Sequence, residues 1–268
     1  MSQLPGSIDA SGLLSHYGDE PGGRVPLALA RETPVAIETS GIAYAVMMAT
    51  PLDLEDFVTG FLMAEGLAQA GEVGEVALHP VEGEAWGAGI VARVNLPADR
   101  LAPILERARR RVGDSSCGIC GMEGVEAALR PLPPLPRRSE ATPAAIRRAL
   151  DGLRAAQPLG DRTRATHAAA FSDEQGAVLL VREDVGRHNA LDKLVGALAR
   201  GGIDPATGFV VMTSRCSYEL VEKTARAGCP LLVTISAPTD LAVRRAAAAG
   251  LSLAVVARDD ACVLIPPP

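Results

Sequence analysis

Two cysteines three positions apart are the residues whose types and spacing point most directly to chemistry. Cys117 and Cys120 belong to residues 115–121, Ser-Ser-Cys-Gly-Ile-Cys-Gly. Three arginines precede them at positions 109–111, and nearby positive charge favours a thiolate over a thiol. A helical pattern over residues 122–129 would place Cys120 near a helix N-terminus, whose dipole also stabilises a thiolate. We therefore expect a reactive pair.

The residues alone leave three uses of this pair open: a redox dithiol, a sulfur carrier, or half of a metal site. A structural zinc site usually has four ligands, and the sequence has no second closely spaced Cys/His pair. His167 and His188 could complete such a site only through folding. Inert thiols are a further alternative, which the glycine-flanked, arginine-adjacent setting disfavours.

A second polar segment covers residues 182–193, Arg-Glu-Asp-Val-Gly-Arg-His-Asn-Ala-Leu-Asp-Lys. A helix beginning near Arg187 would carry polar side chains on one face and aliphatic side chains on the other. The polar face consists of His188, Asn189, Asp192 and Lys193. His188 and Asp192 are one helical turn apart and are spaced to pair. The face is either simply solvated or part of a phosphate site at the helix N-terminus.

Two further turns between a predicted strand and a predicted helix carry hydroxyl groups. Residues 214–217 include Arg215, and residues 236–239 include Ser236 and Thr239. Ordinary helix capping explains each turn taken alone. Ligands of α/β sheets bind beyond the carboxyl ends of the strands, so three such turns at one edge predict a polar cleft of nucleotide size.

Alternating strand and helix patterns predict an α/β second half with a mixed sheet and helices on its faces. The predicted order is a hairpin over 166–171 and 177–182, then helix 187–199, strand 208–213, helix 217–227, strand 231–236, helix 241–249 and strand 251–257. The first half has an α+β pattern. It comprises a hairpin over 35–38 and 43–49, a helix over 54–65 capped by Asp53, strands near 73–79 and 89–95, and a helix over 98–110.

The sequence also suggests where the chain divides. Residues 1–23 have few apolar side chains and predict a flexible tail. Residues 131–136, Pro-Leu-Pro-Pro-Leu-Pro, predict a stiff, extended connector. The expected parts are the tail over 1–23, an N-terminal α+β domain over 24–111, the cysteine loop and connector over 112–140, and a C-terminal domain over 141–268. A helix over 143–156 opens that last part.

Composition bounds the function classes. The chain has 268 residues, 48% of them hydrophobic, and a net charge of −6, which argues against a nucleic-acid-binding protein. The longest uncharged stretch, residues 39–52, is too short to cross a bilayer, so no membrane association is expected. Five irregularly spaced cysteines suit a reducing compartment, and a cytoplasmic location is the expectation.

Several segments together resemble the formate dehydrogenase accessory sulfurtransferase family, FdhD. In chain order they are residues 34–37, 46–57, 60–66, 115–121, 167–169, 182–193, 217–223 and 236–242. The blocks at 115–121 and 182–193 are the most specific. The resemblance therefore covers the chain from about residue 30 to residue 257.

This resemblance implies a cytidine-deaminase-like three-layer α/β/α second domain. It further implies a sulfurtransferase that takes sulfur from a cysteine desulfurase and passes it to bis-molybdopterin guanine dinucleotide, the molybdenum cofactor of formate dehydrogenase. Cys117 would carry the persulfide, and Cys120 would be the second thiol. Zinc is not expected, because deaminases need His-x-Glu and Pro-Cys-x-x-Cys, whereas Ala168 and Ala169 follow His167 and a serine precedes Cys117.

The resemblance also implies a cofactor-binding loop over Val256, Ala257, Arg258, Asp259, Asp260 and Ala261. Val256 and Asp259 replace the family's usual aromatic residue and glycine. The other expected contacts to the cofactor and its GDP-like ends are Arg187, His188, Asn189, Asp192, Lys193, Arg215, Ser236 and Thr239. Among these, Arg187, Arg215 and Lys193 would balance phosphate charge.

The partners expected from the resemblance are a cysteine desulfurase and the catalytic subunit of formate dehydrogenase. A homodimer would give two binding surfaces for the two guanine halves of the cofactor. Two rival functions stay open. The chain could be a cofactor-binding chaperone of apo-formate dehydrogenase without sulfur transfer, or a dithiol redox protein.

Overall fold

A computed structural model of the chain describes residues 6–15, 17, 22–83, 87–102, 104–105 and 131–268. The strands within these ranges are β1 (Ser7–Leu13), β2 (Arg24–Ala30), β3 (Thr33–Thr39), β4 (Ile42–Ala49), β5 (Ala77–Gly83), β6 (Gly87–Val94), β7 (His167–Asp173), β8 (Val178–Asp184), β9 (Gly208–Met212), β10 (Leu231–Thr234), β11 (Ser252–Val255) and β12 (Val263–Ile265). The helices are α1 (Leu54–Ala64), α2 (Pro143–Ala155), α3 (Pro158–Thr163), α4 (Arg187–Arg200), α5 (Tyr218–Arg226) and α6 (Asp240–Ala249).

The first half contains a four-stranded sheet in the order β4-β3-β6-β5. Strands β3 and β4 form the predicted hairpin, and Ser40 and Gly41 make its turn with φ values of 49° and 80°. Such left-handed conformations are easiest for glycine. Apolar side chains of the sheet, such as Val35 and Ile37, form a core with Phe57 and Leu62 of α1.

The second half contains a six-stranded mixed sheet in the order β12-β11-β10-β9-β7-β8. Strands β9, β10 and β11 are parallel, whereas β7 is antiparallel to both neighbours and β12 is antiparallel to β11. Alternate residues of a strand face opposite sides of a sheet. Accordingly, Ala168 and Ala170 pack with α2, whereas Ala169 and Phe171 pack on the side of α4, α5 and α6. The predicted α/β class with a mixed sheet between helices is confirmed.

Helix α1 of the first half packs directly on helix α4 of the second half. Two glycines make this approach possible, because a Cβ atom on Gly60 would lie 1.8 Å from the Asp192 carbonyl oxygen. A Cβ atom on Gly196 would lie 1.9 Å from the Asp56 carbonyl oxygen. No side chain fits at either position, so the backbones of the two helices are in contact.

The N-terminal segment differs from the predicted flexible tail. Residues Ser7–Leu13 form β1, which pairs antiparallel with β2 in a two-stranded ribbon. The ribbon is missed because its side chains alternate only weakly in polarity, and its pairing with β2 depends on residues outside the segment. The division of the chain into domains stays a prediction.

Smaller differences concern element bounds. The strand expected near 73–79 is β5, Ala77–Gly83, which contains Pro80 and lies at the edge of its sheet, where proline is tolerated. Asp53 precedes α1 but makes no side-chain capping bond, and its φ is 51°. The helix expected from residue 98 begins as a 3-10 turn, Ala98–Arg100, and its part beyond residue 105 lies outside the described residues. Helix α3 and strand β12 were not predicted.

Candidate functional site

Four strands of the second sheet end at the same edge. Strand β8 runs in the same direction as β9, β10 and β11, because β7 is antiparallel to both β8 and β9. The loops that follow these strands are the four polar loops predicted at residues 183–188, 214–217, 236–239 and 258–260. Their predicted meeting at one sheet edge is confirmed.

A groove of about 520 Å³ lies between this edge and helix α2. Its volume is within the range of small-molecule sites in proteins. The residues that line it are Leu150, Leu153, Arg154, Gln157, Thr213, Ile235, Ser236, Ala257 and Arg258. Ser236, Ala257 and Arg258 belong to the predicted cofactor-binding set, and the structure brings them together here. The groove carries two guanidinium groups, two hydroxyl groups and one amide. Arg154 is paired with Asp151 and Asp259, and the Thr213 hydroxyl oxygen accepts from the Ala168 N–H at 2.8 Å, so Arg258 and Ser236 are the polar residues at the groove without such a side-chain contact among those described.

The loop after β11 is held close to the end of β10. The Val256 N–H donates to the Ser236 carbonyl oxygen at 3.2 Å, and the Ala257 N–H donates to the Thr234 carbonyl oxygen at 3.1 Å. Val256 has a φ of 51°, an unusual conformation for a β-branched residue. These contacts place Arg258, two residues further along the chain, at the groove.

The rest of the loop is exposed and includes a contact to helix α2. The Asp259 carboxylate forms an ion pair with Arg154, which lines the groove. Asp260 is exposed, and the carbonyl oxygen of Ala261 accepts a hydrogen bond from the Arg258 N–H at 2.9 Å. The acidic residue that replaces the family's glycine therefore links the loop to the opposite wall.

Asp184 is the centre of a buried polar cluster at the β8–α4 turn. Its Oδ2 accepts from the Thr50 N–H at 2.9 Å and lies 2.7 Å from Lys193 Nζ. Its Oδ1 accepts from the Gly186 N–H at 2.8 Å and from Asn189 Nδ2 at 3.0 Å. The cluster fixes the start of α4 against the end of β4.

Three of the residues predicted to contact the cofactor are buried, namely Asn189, Asp192 and Lys193. Lys193 has no exposed surface and also donates to the carbonyl oxygens of Thr50 and Glu183, at 3.0 and 3.1 Å. Asn189 donates to the Met48 carbonyl oxygen at 2.7 Å. The expectation that Lys193 balances a phosphate is contradicted by this geometry, because all its contacts are internal. The alternative of a simply solvated helix face is wrong as well.

Asp192 pairs with Lys223 of α5 and not with His188. Its two carboxylate oxygens lie 2.6 and 2.8 Å from Lys223 Nζ. Burial raises the pKa of Asp192 to about 6, and the Lys223 charge opposes this shift. The residue spacing favoured a contact within the helix, but a cation from the neighbouring helix takes that place. Asp192 thus joins α4 to α5.

His188 lies at the first turn of α4, close to the sheet edge. Burial, followed by the positive charges of Arg187 and Lys223, lowers the pKa of His188 to about 3, so the imidazole is neutral at pH 7. Its Nε2 lies 3.9 Å from a Glu219 carboxylate oxygen. Three atoms in the loops of this edge, Arg187 Nε, His188 Nε2 and Ser217 Oγ, are buried and have no hydrogen-bond partner among the described residues. These atoms retain hydrogen-bonding capacity at the predicted edge.

The remaining predicted residues of this sheet edge, Arg215 and Thr239, do not line the groove. Arg215 is exposed in the β9–α5 loop. Thr239 caps α6, because its Oγ1 accepts from the Ala242 N–H at 3.2 Å. For Thr239 the simpler capping interpretation is therefore correct. Cys117 and Cys120 lie outside the described residues, and their roles stay predictions.

The wall of the groove formed by α2 was not predicted from the sequence. Leu150, Leu153, Arg154 and Gln157 belong to α2 or to the residues directly after it. The helix itself was predicted, but its sequence gives no signal that one of its faces lines a ligand site. Thr213 directly follows β9 and was not among the predicted site residues either.

The cysteines that the structure describes lack the character of activated thiols. Cys216 and Cys229 are buried, and burial raises the pKa of each thiol to about 12. Burial also raises the pKa of Cys262, which is partly exposed. Within the described ranges no three His, Cys, Asp or Glu side chains are grouped to hold a metal ion. The expectation that zinc is absent stays a prediction, because the Cys117 pair is outside those ranges.

In the part of the chain that the structure describes, no helix is long and apolar enough to cross a membrane. The fold and the groove together define a mixed α/β protein with a groove at the carboxyl edge of its second sheet. The model of the FdhD/NarQ family matches residues 30–265, and the chain belongs to this family. The resemblance seen in the sequence is confirmed.

Relatives and a solved structure agree with this membership. The chain is 48% identical over 236 residues to the sulfur carrier protein FdhD of Xanthomonas euvesicatoria pv. vesicatoria, covering 88% of this chain and 83% of the relative. It is 44% identical over 227 residues to the protein of the same name from Bordetella parapertussis, covering 84% and 80%. A crystal structure of a candidate formate dehydrogenase accessory protein from Desulfotalea psychrophila has the same fold, with a TM-score of 0.74, 24% identity and coverage of 98% and 97%.

Proposed function

We propose that this chain is a cytoplasmic sulfur carrier that serves formate dehydrogenase. It would accept sulfur from a cysteine desulfurase and deliver it to bis-molybdopterin guanine dinucleotide. Family membership and the names of the relatives support the sulfur-carrier part. The observation that carries the cofactor part is the groove, which has Arg154, Arg258, Thr213 and Ser236 around one volume of nucleotide size.

Cys117 is the proposed persulfide residue. Its thiolate attacks the terminal sulfur of a persulfide on the desulfurase, so Cys117 gains one sulfur and the desulfurase cysteine leaves as a thiolate. The Cys120 thiolate then attacks the Cys117 sulfur, which forms a Cys117–Cys120 disulfide and releases hydrosulfide to the acceptor. A dithiol reductant restores both thiols before the next cycle.

The molybdenum cofactor is the acceptor substrate of this transfer and is bound transiently. Arg258 would hold the pyrophosphate of one guanine nucleotide end, Arg154 would join it when the phosphate displaces Asp259, and the Ser236 hydroxyl group would add a hydrogen bond. Arg187, at the start of α4 on the same edge, would extend the positive surface. In the proposed homodimer, each protomer supplies one groove for one of the two guanine ends.

Mass spectrometry tests the sulfur step. Incubation of the chain with a cysteine desulfurase and cysteine is expected to add one sulfur atom, mapped to Cys117, and a dithiol should remove it. Cys117→Ser should prevent the gain, whereas Cys262→Ser, which changes a partly exposed cysteine of the last loop, should leave it intact. A wild-type chain that gains no sulfur would exclude the transferase and favour a cofactor-binding chaperone.

Calorimetry with GDP tests the cofactor part separately. GDP should bind both the wild type and Cys117→Ala with similar affinity, because the groove and the persulfide residue are proposed as separate sites. Loss of GDP binding in Cys117→Ala would contradict that separation. A chain that binds no GDP but whose cysteine pair cycles with dithiol reductants and reduces disulfides would instead be a redox protein.

A further inference from the structure

Glu183 of strand β8 binds the chain two and three residues beyond Gln157, the last groove-lining residue on the α2 side, without lining the groove itself. One carboxylate oxygen accepts from the Leu159 N–H at 3.0 Å, and the other accepts from the Gly160 N–H at 2.7 Å. The side chain is almost fully buried, with 8% of the residue exposed. Because neighbouring strand residues face opposite sides of a sheet, Glu183 faces α2 and α3, whereas Asp184 faces α4.

These contacts cap helix α3 from a distance in sequence of more than twenty residues. The first N–H groups of a helix have no partner within the helix and are usually satisfied by a Ser, Thr, Asp or Asn at the N-cap position. In α3 that position is Gln157, whose side chain makes no capping bond. Its Nε2 instead donates to the Leu153 carbonyl oxygen at 3.1 Å, and the residue lines the groove.

We propose that Glu183 is a positioning residue for the groove. It caps α3 from the adjacent strand, so residue 157 does not have to be a capping residue and can form part of the groove wall. The same two hydrogen bonds fix the turn between α2 and α3, which sets where Gln157 stands relative to Ser236 and Arg258 across the groove. The inference rests on the proposed function in one respect: the ligand of the groove is taken to be a guanine nucleotide end.

The test is GDP affinity of the full chain measured by calorimetry. Glu183→Gln keeps the side-chain volume but turns one acceptor oxygen into an amide donor, which cannot accept from the α3 N–H groups. The free energy of one charge-assisted hydrogen bond, if its loss displaces Gln157 in the groove, corresponds to about a tenfold change in affinity. We therefore expect GDP to bind Glu183→Gln about tenfold more weakly than the wild type. Unchanged GDP affinity would overturn the proposal.

Asp56→Asn is the matched control. Asp56 is also a nearly buried carboxylate, and it pairs with Arg182 of the same strand on the opposite face of the sheet. This change should lower stability but leave GDP affinity within twofold of the wild type. If Asp56→Asn weakened GDP binding as much as Glu183→Gln, general loosening would explain both, and the positioning role would be wrong.

A double-mutant cycle tests whether Glu183 acts through Gln157. Gln157→Ala alone should weaken GDP binding, and adding Glu183→Gln should then weaken it by less than twofold, because the positioned side chain is already gone. Independent, multiplying effects would overturn the mechanism. Should Glu183→Gln not fold, Glu183→Asp replaces it: the charge is kept but the carboxylate falls short of α3, and affinity equal to wild type would refute the proposal.

The wild-type result separates this inference from the function on which it rests. If the wild type bound no GDP, the nucleotide assignment of the groove would fail and the positioning role with it. If the wild type bound GDP and the Glu183 variants bound it with the same affinity, the nucleotide assignment of the groove would be kept. Glu183 would then have a structural role alone.

Discussion

Burial decides what the residues of segment 182–193 do. Their types and spacing predict a helix with a polar face, and this helix is present as α4. The burial of that face could not be predicted, because the groups that cover it come from Thr50 and Met48, more than 130 positions away. Lys193 and Asp184 therefore act as structural charges, whereas His188 remains near the sheet edge.

Replacement of Lys193 tests this structural role. Lys193→Met should lower the free energy of unfolding by about 3–5 kcal/mol, because it leaves the Asp184 carboxylate buried without its cation. Urea unfolding followed by circular dichroism measures the loss. Arg93→Met, which removes the exposed ion pair with Glu38, should cost less than about 1 kcal/mol. If Lys193→Met lowered the free energy of unfolding by a similarly small amount and also weakened GDP binding, Lys193 would have the predicted role of balancing a phosphate.

The neutral state of His188 gives a pH dependence with a definite sign. The pKa of His188 is about 3 in the folded chain and about 6.5 when unfolded, so only the unfolded state takes up a proton as pH falls below 6.5. Stability that is present above pH 6.5 is therefore lost toward lower pH. The wild type should lose up to about 1.4 kcal/mol per pH unit between pH 6 and 5 relative to His188→Gln.

Unfolding in urea at several pH values measures that difference. Both proteins share their other titrating groups, so subtracting one curve from the other isolates His188. Equal pH dependence of the two proteins would mean that His188 takes up its proton in the folded state. Protonation of His188 in the folded chain would also be shown by an imidazole NMR signal that shifts between pH 5 and 8 and is absent from the spectrum of His188→Gln.

At the level of elements, the sequence predicts those helices and strands that a local residue pattern determines. The helices α2, α4, α5 and α6 and the strands between them were predicted within a few residues, because apolar periodicity and glycine stops mark them. Strand β1 and helix α3 were missed, since β1 depends on pairing with β2 and α3 is capped by Glu183 from another strand. The contact between α1 and α4 also has no local signal beyond two glycines.

That helix contact predicts a large effect of one methyl group. Gly196→Ala should destabilise the chain by about 3 kcal/mol, although alanine favours helices, because the new Cβ would meet the Asp56 carbonyl oxygen at 1.9 Å. Gly152→Ala in α2 is the matched control, since its Cβ would meet the Val178 side chain, at 2.7 Å, and no backbone atom outside α2 within 4 Å. Thermal or urea unfolding should show the smaller loss for Gly152→Ala. Equal losses would contradict backbone contact between α1 and α4.

At the scale of the whole molecule, buried polar groups join the two halves in addition to the helix contact. Asp56 of α1 pairs with both Arg182 of β8 and Arg200 of α4. Thr50, which follows β4, accepts from the Val185 N–H through its Oγ1 at 3.1 Å and donates its own N–H to Asp184. The proline-rich segment predicts a boundary between the halves. The contacts across that boundary could not be predicted, because they join residues that are far apart in the sequence.

This interface predicts that the two halves open together. In hydrogen exchange followed by mass spectrometry, the slowest amides of α1 and α4 should share one opening free energy. Asp56→Asn should lower that value equally in both helices, because Asp56 belongs to one helix and its arginine partners to the other half. Arg93→Ala, at an exposed pair in the first sheet, should leave the α4 value unchanged. If exchange in Asp56→Asn became faster in α1 alone, the two halves would open independently. The ion pairs of Asp56 would then stabilise α1 and not α4.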